Sequence, residues 1–253
     1  MDVPKYLERG SGDEALVLLH GIGGCADVWE PQLAAFSSRY RVVAWYMPGY
    51  GGSPPLPEMT FPALADALAA LIDRLDTPRV HLVGHSMGGA IALAVAARRR
   101  DLVASLSLIA TAGLGPEINA AFIDAFVRAG RRREAQEALA MLVHDPALVS
   151  RAMVEETLRY KRLDGVAAAL ATVAGAWFAG GRQLLDLRPA LAALRMPAQL
   201  IWGGGDRIIP VAHAEALTGN LPVHIIEAAG HLPHMEKSGE VNRLIGRFLA
   251  TNP

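Results

Sequence analysis

A chain of 253 residues that is 52% hydrophobic and 19% charged can bury one large core, which excludes a disordered protein. Lysine and arginine (24) nearly balance aspartate and glutamate (25), so the net charge of −1 predicts no attraction to nucleic acid or to an anionic membrane. The single cysteine, Cys25, excludes a disulfide within the chain.

The N-terminal segment, residues 1–14, is polar, and no apolar run approaches the ~20 residues of a membrane span. The sequence therefore predicts a cytoplasmic protein without a secretory signal or a membrane helix. Short apolar runs bounded by glycine or a turn follow, at 16–20, 41–45, 80–85, 106–111, 199–203 and 223–228. They do not alternate strictly between apolar and polar residues, which is typical of strands buried on both faces in a parallel sheet.

Helical segments separate these runs, at 26–36, 61–75, 86–99 and 236–249. Strands alternating with helices predict an α/β fold with a mostly parallel central sheet and helices on both faces. Residues 113–182 contain no convincing strand and have helical periodicity. They are too many for one crossover, so we predict three or four helices inserted as a cap. The predicted domains are a core at 1–112 and 183–253 and a cap at 113–182. In the alternative interpretation, some of these are ordinary crossover helices.

The segment Gly84-His85-Ser86-Met87-Gly88 lies between an apolar run and a helix of small and aliphatic residues, the setting of a G-x-S-x-G nucleophile elbow. Such an elbow holds the serine Oγ above the sheet on a tight turn, and glycines at the flanking positions relieve the crowding. The turn also presents the Met87 N–H at a helix start, where it can bind a developing negative charge. A helix N-cap serine is the alternative. The strand before the motif favours the nucleophile.

The first apolar run also ends in a glycine-rich loop, LHGIGG at 19–24. It lacks G-x-G-x-x-G with a following acidic residue, so no dinucleotide site is predicted. We predict instead that the Ile22 N–H is a second oxyanion donor beside Met87. A plain strand-to-helix turn is the alternative. Cys25 has no general base assigned to it and is predicted to be a packed small residue.

An acid and a base follow in the order that this type of site requires, Ser, then Asp or Glu, then His. Asp206 lies on the loop after the run at 199–203, and His231 lies on the loop after the run at 223–228. Carboxyl ends of parallel strands meet at one edge of a sheet. The sequence therefore predicts Ser86 as nucleophile, His231 as general base and Asp206 as the acid that orients it. Asp186 follows no strand and is the weaker candidate acid.

His231 and His234 together could suggest a metal site, but no third ligand has useful spacing, so neither a metal nor a cofactor is predicted. Several large apolar residues of the predicted cap are candidates for a roof over Ser86, namely Phe122, Phe126, Met153, Trp177 and Phe178. We expect removal of the cap to change substrate selection and to leave the Asp206 and His231 loops in place.

The segments LHGIGG, PGYGGS, GHSMGG and AGH and the loop at 203–206 resemble the α/β-hydrolase superfamily over nearly the whole chain. A finer similarity, in ATAGLGPEIN, DPALV, YKRLDGV and FAGGRQ, is to the hydrolase-like domain of acetoin-dehydrogenase dihydrolipoamide acetyltransferases. Stand-alone hydrolases described as 3-oxoadipate enol-lactonase-like have similar caps. The resemblance implies the α/β-hydrolase fold and assigns the triad to Ser86, Asp206 and His231. It does not imply acetyl transfer to lipoamide, because a lipoyl-bearing segment has no room before residue 16.

The chain departs from the family pattern at Tyr46, where the family commonly has an aspartate before x-P-G-x-G-x-S. Three consequences are open: the ring narrows the pocket, the side chain adds a hydroxyl, or the residue reflects an engineered change. The predicted triad is unaffected. A substrate preference cannot be carried over from the family.

The predicted function is hydrolysis of a small carboxylic ester or lactone through an acyl-enzyme, with a small molecule as partner. Two alternatives remain: a carbon–carbon bond hydrolase of a vinylogous diketone, and a non-catalytic ligand-binding homologue. The oligomeric state is left open.

Overall fold

The computed structural model describes residues 5–252 and has a seven-stranded sheet at its centre. The strands of the chain are β1 (Tyr6–Arg9), β2 (Ala15–Leu19), β3 (Arg41–Trp45), β4 (Val80–His85), β5 (Val103–Ile109), β6 (Phe178–Ala179), β7 (Arg182–Gln183), β8 (Ala198–Gly203) and β9 (Val223–Ile226). The central sheet has the order β1-β3-β2-β4-β5-β8-β9, and every pair except β1–β3 is parallel. The predicted α/β fold with a mostly parallel sheet is confirmed.

Helices cover both faces of this sheet, which is why β2 and β4 are buried along their whole length and do not alternate. The helices are α1 (Glu30–Phe36), α2 (Phe61–Arg74), α3 (Met87–Arg98), α4 (Ala120–Arg128), α5 (Arg132–Leu142), α6 (Arg151–Lys161), α7 (Val166–Trp177), α8 (Arg188–Ala192), α9 (Ala212–Glu215), α10 (Pro233–Glu236) and α11 (Ser238–Thr251). Single 3-10 turns occupy Ala26–Trp29 and Pro146–Leu148. Within residues 5–252, none of these helices is long and apolar enough to cross a membrane.

The edge strand β1 was not expected, because its sequence, YLER, lacks an apolar run. It pairs antiparallel with β3, Tyr6 opposite Trp45, and half of its residues are exposed. An edge strand has one free side and tolerates polar and charged residues, so it leaves only a weak pattern in a sequence.

Four helices, α4 to α7, lie within residues 113–182, where three or four were predicted. The expectation that 113–182 contains no strand is wrong in one detail. A short hairpin, formed by the two-residue strands β6 and β7, lies at the end of this region. Two-residue strands are too short to produce a periodicity. The division into core and cap stays a prediction, and residues 1–4 and 253 of the predicted core lie outside the described residues.

Candidate active site

Ser86 occupies the sharp turn between β4 and α3, with φ 50° and ψ −116°. An L-residue rarely adopts this conformation, and it persists only where the surrounding structure enforces it. Here the Ser86 N–H donates to Ile109 O at 2.9 Å, and the Ser86 carbonyl accepts from Ala90 N and Ala112 N, both at 3.1 Å. All three bonds involve the Ser86 backbone, so the turn is held without the hydroxyl.

The two glycines of the elbow motif are required by close packing. A Cβ on Gly88 would lie 2.5 Å from the carbonyl oxygens of Leu19 and His20, at the end of β2. A Cβ on Gly84 would lie 2.6 Å from Gly89 Cα. Any larger residue would push α3 away from the sheet and displace Ser86.

The predicted acid and base are in contact. His231 Nδ1 donates to Asp206 Oδ2 at 2.8 Å, and the side chains are 3% and 0% exposed. The other carboxylate oxygen, Oδ1, accepts from Ile208 N at 2.8 Å and Ile209 N at 3.1 Å. With its proton on Nδ1, the neutral imidazole has Nε2 free to accept another proton.

Ser86 and His231 line the same pocket. Among the described residues no hydrogen bond joins the Ser86 hydroxyl to the imidazole, a contact that often tightens only when substrate is bound. The neighbour of the serine, His85, donates from Nε2 to the His231 carbonyl at 2.8 Å, and the two rings lie 4.8 Å apart. His85 therefore ties the elbow to the His231 loop.

The Gly21–Ile22 peptide passes beside Ser86, since a Cβ on Gly21 would lie 3.1 Å from Ser86 Cβ. The Gly21 carbonyl accepts from Gly24 N at 3.1 Å and from His20 Nδ1 at 2.9 Å. In a trans peptide the C=O and N–H point in opposite directions, so the Ile22 N–H points away from these donors. Met87 begins α3, and its N–H has no acceptor within the helix. The role of these two amides as oxyanion donors stays a prediction.

The pocket next to Ser86 has a volume of about 210 Å³, which suits a small ligand. Its walls are largely apolar, and α4 to α6 and the β6 hairpin contribute Phe122, Ile123, Phe126, Leu139, Leu142, Met153 and Phe178. Of the five residues predicted to roof the cleft, all except Trp177 line it. Trp177 packs edge-to-face on Phe61 instead, with ring centroids 5.1 Å apart. Among the described residues the only acidic or basic side chains on the walls, apart from the histidines, Cys25 and Tyr160, are Asp27 and Glu156, both exposed at the surface.

Tyr46 is buried and is not one of the pocket-lining residues, so its ring does not narrow the pocket. Its hydroxyl donates to Asp27 Oδ2 at 2.9 Å, and Cys25 Sγ donates to the same oxygen at 3.2 Å. Of the three consequences considered for a tyrosine at position 46, the structure therefore shows the added hydroxyl. Burial and the Asp27 contact raise the pKa of the Cys25 thiol to about 12, which keeps it protonated and unreactive.

Three further histidines beside the site are buried and neutral. Burial lowers the pKa of His20 to about 4 and of His234 to about 3, and it lowers the pKa of His85 well below its ordinary value. Neither ring nitrogen of His234 has a hydrogen-bond partner among the described residues, and the ring packs 4.5 Å from Trp29.

These histidines predict acid sensitivity. Below about pH 6.5 these histidines bind protons in the unfolded chain, whereas in the folded chain His20 and His234 stay neutral until about pH 3 to 4. Their contribution to the free energy of unfolding is therefore complete above pH 6.5 and is lost as the pH falls. The His20 shift alone corresponds to about 3 kcal/mol. Urea unfolding between pH 7.5 and pH 4 should show a falling free energy of unfolding. His234→Phe should make this slope shallower, and an unchanged slope in that variant would contradict the assignment.

Asp186, the weaker candidate acid, lies apart from this arrangement. Asp186 pairs with Arg188 at 2.6 Å on the surface. Within residues 5–252, no group of three or more His, Cys, Asp or Glu side chains is placed to hold a metal ion.

Comparison with known proteins gives a consistent result. Residues 14–238 match the alpha/beta hydrolase fold family. The dihydrolipoyllysine-residue acetyltransferase component of the acetoin cleaving system of Pseudomonas putida is 42% identical over 95% of this chain, which spans only 64% of that protein. The 2-hydroxy-6-oxononadienedioate/2-hydroxy-6-oxononatrienedioate hydrolase 2 of Pseudomonas putida is 30% identical, over 96% of this chain and 90% of that protein.

Among solved structures, a thermophilic esterase from Thermogutta terrifontis with malate bound superposes with a TM-score of 0.79. It is 28% identical, and the match covers 98% of this chain and 93% of the esterase. The resemblances stated from the motifs are confirmed.

Proposed function

The chain belongs to the alpha/beta hydrolase fold family, and from that premise we propose that it hydrolyses a small, uncharged carboxylic ester or lactone through an acyl-enzyme. The observation that supports this most directly is the Asp206–His231 hydrogen bond of 2.8 Å beside Ser86, on the wall of an apolar pocket. We also propose that residues 113–182 act as a cap, because α4 to α6 supply much of that wall.

In the proposed reaction, Ser86 Oγ attacks the carbonyl carbon as its proton passes to His231 Nε2. The N–H groups of Ile22 and Met87 stabilise the oxyanion. His231 then gives the proton to the leaving alkoxide, which leaves the acyl group on Ser86. A water attacks the acyl-enzyme as His231 takes its proton. The proton returns to Ser86 Oγ and the acid is released.

The charges of the pocket favour an ester over the carbon–carbon bond alternative. The name of the Pseudomonas putida hydrolase denotes a substrate with two carboxylates. Arginine and lysine are the strongest side-chain partners of a carboxylate, and none lines this pocket in the part of the chain that the structure describes. Asp27 and Glu156 at its edge repel an anionic group. The pocket therefore suits an uncharged substrate.

This preference can be measured with a matched pair of esters. We expect kcat/KM to be ~10-fold or more higher for p-nitrophenyl butyrate than for mono-p-nitrophenyl succinate, because a like-charge contact of ~1.4 kcal/mol is a factor of ten. Glu156→Gln should narrow this ratio, whereas Glu137→Gln, on the exposed face of α5, should not. Equal rates, or a preference for the succinate ester, would point to the dicarboxylate alternative.

A fluorophosphonate probe separates an enzyme from a non-catalytic homologue. Such a probe forms a covalent bond only with an activated serine. We expect one equivalent to bind, with the label on the peptide that contains Ser86. A protein that stays unlabelled at neutral pH would be the binding homologue.

A further inference from the structure

The loops that carry Asp206 and His231 are both attached to one segment of the inserted helices, residues 140–144 at the end of α5. We propose that Arg207 and Glu236 are positioning residues that hold this attachment, and with it the alignment of the acid and the base. We call residues 140–144 together with these two side chains the clasp. The inference rests on the proposed function.

Arg207 directly follows the acid in the chain. Its Nη2 donates to Val143 O at 2.8 Å and also to Ala140 O. Carbonyls in the last turn of a helix have no donor within the helix, and a cation there also interacts favourably with the helix dipole. Arg207 thus anchors the Asp206 loop to the end of α5.

Glu236 attaches the base in the same way. Its Oε1 accepts from Gly230 N at 2.8 Å and Leu232 N at 3.3 Å, the amides on either side of His231. Its Oε2 accepts from His144 N at 2.7 Å. One carboxylate therefore joins the His231 loop to the clasp segment with three charge-assisted bonds.

A direct backbone bond completes the attachment, from His231 N to Leu142 O at 2.7 Å. The Asp206 and His231 loops lie in close contact with residues 140–144. A Cβ on Gly230 would lie 2.7 Å from His144 N, and a Cβ on Gly205 would lie 2.6 Å from His144 Nδ1. Glycine at these two positions lets the loops lie flat on the segment.

The consequence is that the inserted helices help to position the acid and the base. The proposal replaces the expectation that removing 113–182 leaves the Asp206 and His231 loops in place, because four backbone groups of that region bond to Arg207, His231 or Glu236. A catalytic group displaced by ~1 Å can cost ~100-fold in rate. The clasp should therefore affect kcat more than KM.

The experiment compares Arg207→Met and Glu236→Gln with controls on the exposed face of α5, Arg133→Met and Glu137→Gln. A glutamine at 236 can keep one oxygen for the amides beside His231, but it then turns an N–H towards His144 N and breaks the link to α5. Steady-state kinetics with p-nitrophenyl butyrate, the rate of fluorophosphonate labelling, and melting temperatures are measured for all four variants.

We expect kcat and the labelling rate of both clasp variants to fall ~10- to 100-fold, with KM within ~2-fold and both controls at parent values. Arg207→Lys, which can still reach one carbonyl, should recover part of the loss. If a methionine variant fails to fold, the lysine and glutamine variants decide the question. Folded clasp variants with the parent's kcat would overturn the proposal. An unlabelled parent protein would instead refute the proposed function.

Discussion

Asp206→Asn should leave a folded protein whose kcat is ~10⁴-fold lower, because the substitution reverses the polarity of one hydrogen bond. Oδ1 of Asp206 accepts from two backbone amides, Ile208 N and Ile209 N. An asparagine must keep its carbonyl oxygen there, since its NH₂ cannot face two N–H donors. The NH₂ then faces His231 Nδ1, which has to become an acceptor. The imidazole proton moves to Nε2, and the ring can no longer accept the serine proton.

The measurement is kcat with p-nitrophenyl butyrate, together with a melting curve. Asp186→Asn is the matched control: Arg188 holds the pKa of the Asp186 carboxyl at about 2 on the surface, away from the pocket, and activity should not change. If Asp206→Asn retained a tenth of the parent's kcat, the orienting role of Asp206 would be wrong.

Ser86→Ala should abolish turnover and preserve the fold. The hydrogen bonds that hold the strained turn use the Ser86 backbone, and alanine can occupy the same position with the same backbone strain. Only the Oγ is lost. We expect kcat/KM for p-nitrophenyl butyrate to fall by ~10³-fold or more and fluorophosphonate labelling to disappear.

Ser37→Ala, at the end of α1, serves as the control and should behave as the parent. Melting temperatures of the two variants should agree within a few degrees. Residual turnover near the parent's level would move the nucleophile away from Ser86.

Much of the fold and the site could be predicted because the determining features are local. The elbow needs glycine on both sides of Ser86, since α3 approaches β2 closely at Gly88, and that requirement is visible in five consecutive residues. Asp206 follows the buried strand β8, and His231 follows the apolar run of the edge strand β9. In a parallel sheet, that position alone brings them to one edge.

Other features left weak local patterns. The strand β1 is polar because it lies at an edge, and the β6–β7 hairpin is too short to show alternation. Arg207 and Glu236 were missed for a different reason. The bonds from Arg207 to Val143 and from His144 to Glu236 join residues 64 and 92 positions apart in the chain, and neither Arg207 nor Glu236 belongs to a motif named in the sequence analysis. The position of Glu236, five residues after His231, is the one hint that the sequence offers.

The sequence by itself determined the fold class, the candidate triad and the candidate oxyanion loops, because glycine placement marks the tight turns and apolar runs mark the strands. Only the tertiary structure decided which charges face the substrate and what holds the acid and the base in place. The packing of α6 brings Glu156 to the same pocket as Asp27, and the end of α5 meets the Asp206 and His231 loops. Such contacts depend on how separate helices pack against the sheet, and no local pattern of residues specifies that arrangement.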